Sequence, residues 1–133
     1  MTLAISTTLH HDRFDEAVDR TRAALAAEGF GVLTEIDMTA TLKAKLGEDM
    51  EDYRILGACN PALAHQAVGV DRQIGLLLPC NVIVRRNPDD DATVIVEAMD
   101  PQVMVQVTGE AELEPVAAAA GAKLRAAIAA LEP

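Results

Sequence analysis

The sequence predicts an α+β fold, a single compact domain over residues 1–133 with an antiparallel-rich sheet and helices. Three observations point there. Several short segments alternate apolar and polar residues with the period of a half-buried strand, while others repeat apolar residues at helical spacing. Two β-rich runs, residues 80–86 and 92–99, flank the polar stretch Asn87-Pro88-Asp89-Asp90-Asp91, the pattern of a hairpin.

In residues 2–9, Leu3, Ile5, Thr7 and Leu9 alternate with polar or small neighbours, which predicts the first strand. Asp12 is placed to cap a helix in which Phe14, Val18, Thr21 and Leu25 follow the 3.6-residue spacing and Glu28-Gly29 ends it. Residues 30–36 predict a second strand. Asp37 or Thr39 then begins a short helix through Leu42 and Leu46, which Gly47 stops. A third strand is expected at residues 53–58. Asn60-Pro61 reads as an N-cap followed by a first-turn proline, opening a helix to about residue 68. Leu76-Leu77-Leu78-Pro79 is expected to return the chain to the sheet, where the hairpin follows with a five-residue turn at 87–91. Both hairpin strands are mainly apolar on each face, as in central strands covered on two sides or at a subunit contact. In residues 102–108 the valine alternation suggests a strand and Met104 a helical turn, so both readings stand. Residues 112–131 predict a long alanine-rich helix with Pro115 near its start. Gly121 weakens its middle by about 1 kcal/mol relative to alanine.

Alanine supplies 24 of the 67 hydrophobic residues, so 43 larger apolar side chains must build the core. That suffices, since a chain of this size buries roughly two-thirds of its unfolded surface. The net charge of −10 repels phosphate, from which nucleic-acid binding draws most of its affinity. Only three lysines occur, and Phe14, Phe30 and Tyr53 are too few aromatics for a base-stacking platform. DNA, RNA and anionic membranes are therefore poor partners, and a basic one is better suited. Residues 1–6 lack the basic and apolar regions of a signal peptide, and no apolar run nears the roughly 18 residues of a membrane helix. The expectation is a cytoplasmic protein whose two cysteines are reduced.

Those cysteines carry the most informative motif. Cys59-Asn60 and Cys80-Asn81 each place a Cys-Asn dipeptide at a strand end, one before a helix and the other at the start of the hairpin. Beside unsatisfied N–H groups and the positive end of a helix dipole, Cys59 is placed to favour thiolate, the nucleophilic and metal-binding form. With Cys80 alongside, the pair could form a reversible disulfide or half of a soft-metal site for copper or zinc, with His65 as a further ligand. The alternative is that both are small buried hydrophobes and His65 a solvated side chain. Met99 and Met104 offer soft thioethers for cuprous copper, or simply fill the core. Glu97 interrupts Val94-Ile95-Val96, so it must be wet, paired or raised in pKa; a cross-strand ion pair with Arg85 or Arg86 is expected. The run Asp89 to Asp91 lacks the ligand spacing of a calcium loop and reads as a solvated tip. Nucleophile-elbow, P-loop, zincin and dinucleotide motifs are missing, and the sequence leaves open whether the chain is an enzyme.

Residues 53–61, YRILGACNP, followed by residues 74–82, IGLLLPCNV, resemble the family called domain of unknown function 302. Gly29-Phe30-Gly31-Val32 and Asp100-Pro101 extend the resemblance over nearly the whole chain. It implies a compact α+β domain similar to one copy of a TATA-binding-protein-like fold with added helices, tending to form homodimers. It implies no activity, and shared fold alone does not bring DNA binding with it.

Three readings follow: a small-ligand-binding or accessory domain using Cys59, Asn60, Cys80 and Asn81; a thiol redox or soft-metal protein using Cys59, Cys80 and His65; or a structural dimerisation module. No particular cofactor or reaction is specified by these residues.

Overall fold

A computed structural model describes residues 3–10 and 13–132. The strands are β1 (Ala4–His10), β2 (Gly31–Asp37), β3 (Tyr53–Cys59), β4 (Cys80–Asn87) and β5 (Asp90–Met99). The helices are α1 (Phe14–Ala27), α2 (Met38–Leu46), α3 (Pro61–Val70), α4 (Gln102–Thr108) and α5 (Glu114–Ala129). The five strands form one sheet in the order β1-β5-β4-β3-β2, every neighbouring pair antiparallel. The α+β fold is thus as the sequence predicts.

Period-two alternation decides which face of the sheet is buried. Leu9, Val94, Val96, Val82, Val84 and Leu56 point to one face, each at most 1% exposed. Against them pack Phe14, Val18 and Leu25 of α1 and Leu124, Ala127 and Ile128 of α5, completing a two-layer core. A smaller cluster joins Ala67 of α3, Ile74, Met104 of α4 and Val116 of α5 at one end of the molecule. On the opposite face of the sheet Ile36, Ile55 and Ile83 lie directly across from one another on β2, β3 and β4. Ile55, Ile83 and Ile95 are half-buried and Ile36 is exposed. Thus β4 and β5 are central strands, but helices α1 and α5 lie on only one of their faces. Arg85 Nε meets Glu97 Oε1 at 2.7 Å, the cross-strand pair expected for Glu97.

Local chemistry sets the element ends. Asp37 Oδ1 accepts from Ala40 N to cap α2, and Gly47, at φ +71°, closes it in the left-handed region that glycine adopts without strain. The expected Asp12 cap lies outside the described residues; Arg13 precedes α1 and makes no side-chain cap bond.

Four expectations are corrected or resolved. The hairpin turn is tighter than five residues, because Asn87 pairs with Asp90 and leaves only Pro88-Asp89 between the strands. Asn87 Oδ1 accepts from Asp89 N and Asp90 Oδ1 from Ala92 N, so polar residues that look like loop satisfy the turn's backbone. Residues 102–108 are helical: Asp100 Oδ1 accepts from Gln102 N, and Gly109 at φ +69° ends α4. Residues Arg72–Leu77 form a 3-10 helix rather than strand, begun by Asp71 Oδ1 accepting from Gln73 N. Only Leu78 and Pro79, joined by a cis peptide, lead into β4. The last helix is preceded by a separate 3-10 turn, Ala111–Leu113, so that Pro115 falls in the first turn of α5, where it needs no N–H partner.

Candidate functional site

The two Cys-Asn dipeptides fall where β3 ends and β4 begins, and these two points are adjacent because Ala58 pairs with Cys80. Chain direction changes sharply after Cys59. Asn60 adopts an extended backbone and its Oδ1 accepts from Leu63 N at 3.3 Å, while Pro61 occupies the first turn. This cap starts α3 directly at the strand end and turns the helix over it.

Between α3, α4, α5 and the sheet end lies a small cavity partly open to solvent. Its floor is Ala58, Cys59, Leu78, Pro79 and Cys80; its walls are Leu63, Ala64 and Ala67 of α3, Met104 of α4, and Val116 and Ala120 of α5, with Asn60 and Phe30. Four alanines among these residues leave space that larger side chains would fill. About 30 Å³ is open to the centre of a water-sized sphere. The lining is apolar apart from Asn60 and the sulfurs.

Both cysteines are free thiols, Cys59 half-buried and Cys80 buried. Burial pushes the Cys80 thiol up from 9.0 to about 11, and the neighbouring Cys59 adds to the shift. At neutral pH Cys80 is therefore a protonated thiol. Loss of hydration, the larger of the two causes, disfavours the thiolate.

Of the sequence-predicted residues, Cys59, Asn60 and Cys80 line one cavity. Asn81 does not: one residue beyond Cys80, it points to the other face of the sheet, is exposed, and stands opposite Gly57. His65 is also exposed and lies outside the cavity lining, since Leu63, Ala64 and Ala67 form the facing side of α3. No group of three or more His, Cys, Asp or Glu side chains able to hold a metal occurs among the described residues. Leu63, Ala64, Ala67, Val116 and Ala120 escape a motif-based search, because small apolar residues carry no chemical signature in sequence. Met104 carries the one available signal, a sulfur in a segment of ambiguous structure.

Gly57 adds a constraint from below. A Cβ there would meet Pro79 Cγ at 2.9 Å and collide with Thr34 Oγ1, so only glycine permits this close approach beside the cavity floor.

A second, larger hollow of about 250 Å³ lies beside α2, lined by charged residues that include Asp37, Lys43, Asp49, Asp52 and Arg54. Its charges already pair with one another: Lys43 Nζ with Asp49 at 2.9 Å and Arg54 Nε with Asp37 at 3.4 Å. Arg54 and Arg86 also lie over the Phe14 ring, 5.8 and 5.9 Å from its centroid. These contacts tie α1 and α2 to the sheet.

Fold and site together define a two-layer α+β domain with an apolar, thiol-lined cavity at one end of an antiparallel sheet. The sequence model of the family described as Domain of unknown function DUF302 matches residues 5–131, and the chain belongs to that family. A crystal structure of an uncharacterized conserved DUF302 protein from Bacillus stearothermophilus shares the fold, with a TM-score of 0.88. The two are 25% identical, over 99% of this chain and 100% of that one. No match was found among curated proteins. No described helix is long and apolar enough to cross a membrane.

Proposed function

We propose that the domain binds a small, largely apolar ligand in the cavity between α3 and the sheet end. The observation carrying this reading is the convergence of Cys59, Asn60 and Cys80, from two separate turns, on one cavity whose remaining lining is hydrocarbon. Apolar pockets with a few placed polar groups are the usual form of small-molecule sites. Asn60 Oδ1 is engaged by Leu63 N, so the amide that remains to orient a ligand is its Nδ2, and the thiols add two weak donors. Equilibration with xenon, a compact apolar probe suited to an opening of about 30 Å³, followed through the methyl resonances of Ala58, Ala64, Ala67 and Ala120, tests it. Saturable shifts at these methyls, lost in Ala67→Leu, are expected; shifts confined to exposed Leu76 or Val107 would contradict it.

A second reading concerns the open sheet face, where Ile36, Ile55, Ile83 and Ile95 stand uncovered by α1 and α5. In it, two copies pair through this face as a homodimer, which removes the isoleucines from water. Sedimentation of the chain against Ile83→Asp provides the check. A dimer that the substitution converts to monomer is expected, and a wild-type monomer at high concentration would sink it.

A further inference from the structure

Asn60 carries the one amide side chain in the cavity lining, and only half of that amide is engaged. Its Oδ1 accepts from Leu63 N, and among the described residues its side chain makes no other hydrogen bond. Its Nδ2 lies beside Gly29, where a Cβ would stand 3.1 Å away, and the next residue, Phe30, belongs to the lining. We infer that the ligand is a small uncharged molecule of the carbonyl class, whose oxygen accepts from Asn60 Nδ2 while its hydrocarbon lies against Ala64 and Ala67. The inference rests on the cavity being the ligand site.

The lining selects this class by exclusion. It holds no carboxylate, ammonium, guanidinium or imidazole, so a charged ligand would lose its hydration with no opposite charge to meet it. A pure hydrocarbon would shut water away from Nδ2 without replacing it, and an amide donor left unmet costs more than its bond would gain. A hydroxyl could accept from Nδ2, but it brings a proton of its own. For that proton the lining offers no open side-chain oxygen, because Asn60 Oδ1 is already taken. A carbonyl accepts and donates nothing, which matches a single free donor.

Two features of the fold support the same orientation. Asn60 is the N-cap of the ten-residue helix α3, and the positive end of its dipole favours an electron-rich oxygen there. Gly29 keeps the amide accessible: at φ +83° any other residue is strained, and a side chain at that position would crowd Nδ2. Size narrows the class further. Room of about 30 Å³ for the centre of a water-sized sphere holds only a few non-hydrogen atoms, so the recognised unit is compact and a longer chain would extend through the open mouth.

The experiment titrates the purified chain with acetone, with 2-methylpropene, which has the same shape without the oxygen, and with acetate, which adds a charge. Binding is followed by NMR at the alanine methyls and the Asn60 Nδ2 protons. In the wild type, acetone is expected to shift both sets, 2-methylpropene the methyls with no downfield shift at Nδ2, and acetate neither. Acetone loses more hydration than 2-methylpropene, so the variants are judged on the ratio of the two affinities. Asn60→Asp keeps the capping oxygen and removes the donor; it is expected to lower that ratio roughly three- to tenfold, the worth of a neutral hydrogen bond. Asn81→Asp adds the same charge on the other face of the sheet and is expected to leave the ratio unchanged. An Nδ2 signal that ignores acetone, an unchanged ratio in Asn60→Asp, an equal fall in Asn81→Asp, or acetate binding as tightly as acetone would each overturn the inference. The xenon experiment separates the two claims. If xenon shifts the alanine methyls but acetone fails these tests, the carbonyl class alone is wrong; if neither probe moves the methyls, the cavity reading falls with it.

Discussion

Cys80 illustrates how a side chain's position sets its chemistry. Its sulfur is buried beneath α3 and α5, and the lost hydration raises its pKa to about 11. A group with a raised pKa holds its proton more tightly folded than unfolded, so its contribution is complete below the unfolded value near 9 and is lost as pH rises through 11. Two units correspond to about 2–3 kcal/mol. Stability measured by urea unfolding is expected to fall between pH 9 and 11, and the fall to be smaller in Cys80→Val. An equal fall in both proteins would show that other groups govern the alkaline limb. Cys59 was legible in sequence as a residue before a capped helix, and Cys80 as a strand residue. That the two meet at one cavity was not, because their proximity depends on the register that places Ala58 opposite Cys80. Asn81 shows the same limit: one step along a strand reverses the face, and no dipeptide motif records which residue of the pair turns inward.

At the scale of elements, the cavity depends on how α3 begins. Asn60 satisfies Leu63 N, and the first turn so fixed carries Leu63 and Ala64 into the cavity wall. Asn60→Ala is expected to lower stability by about 1 kcal/mol, whereas Asn60→Asp keeps an accepting oxygen and most of the stability. Thermal unfolding of the two variants checks this; equal losses would mean that the cap bond is not what matters. This helix was readable in advance because its signal is local, an N-cap followed by proline. The elements misjudged or left undecided lie where local signals conflict. Leu76 and Leu77 look like strand, yet Asp71 starts a 3-10 turn in which Leu77 is half-buried and Leu76 stays 84% exposed. In α4, three valines favour a strand, but Asp100 supplies the first-turn acceptor and packing of Val103 and Met104 against the molecule settles the segment as helix. The five-residue polar turn was overestimated because Asn87 and Asp90 serve both as turn residues and as ladder members.

For the whole molecule, charge and apolar surface act against each other. A chain of net charge −10 repels its own copies. On the open sheet face, however, Arg85 and Glu97 neutralise one another beside the isoleucines. Association through that face is therefore expected to strengthen with added salt, which screens the long-range repulsion and leaves the apolar contact intact. The α+β class and the antiparallel sheet were legible from periodicity, since β4 and most of β5 bury alternate residues against the helical layer. Which face stayed open was not legible, because β4 and β5 are apolar on both. The cavity arises at a still larger scale, from α3, α4 and α5 closing over a sheet end with alanines where they meet. The most direct measurement is a crystal of the protein equilibrated with xenon and read by anomalous scattering. A xenon atom is expected between Ala64, Ala67 and Cys80, displaced in Ala67→Leu; density found only at other sites, with this cavity empty, would contradict the assignment of the ligand site.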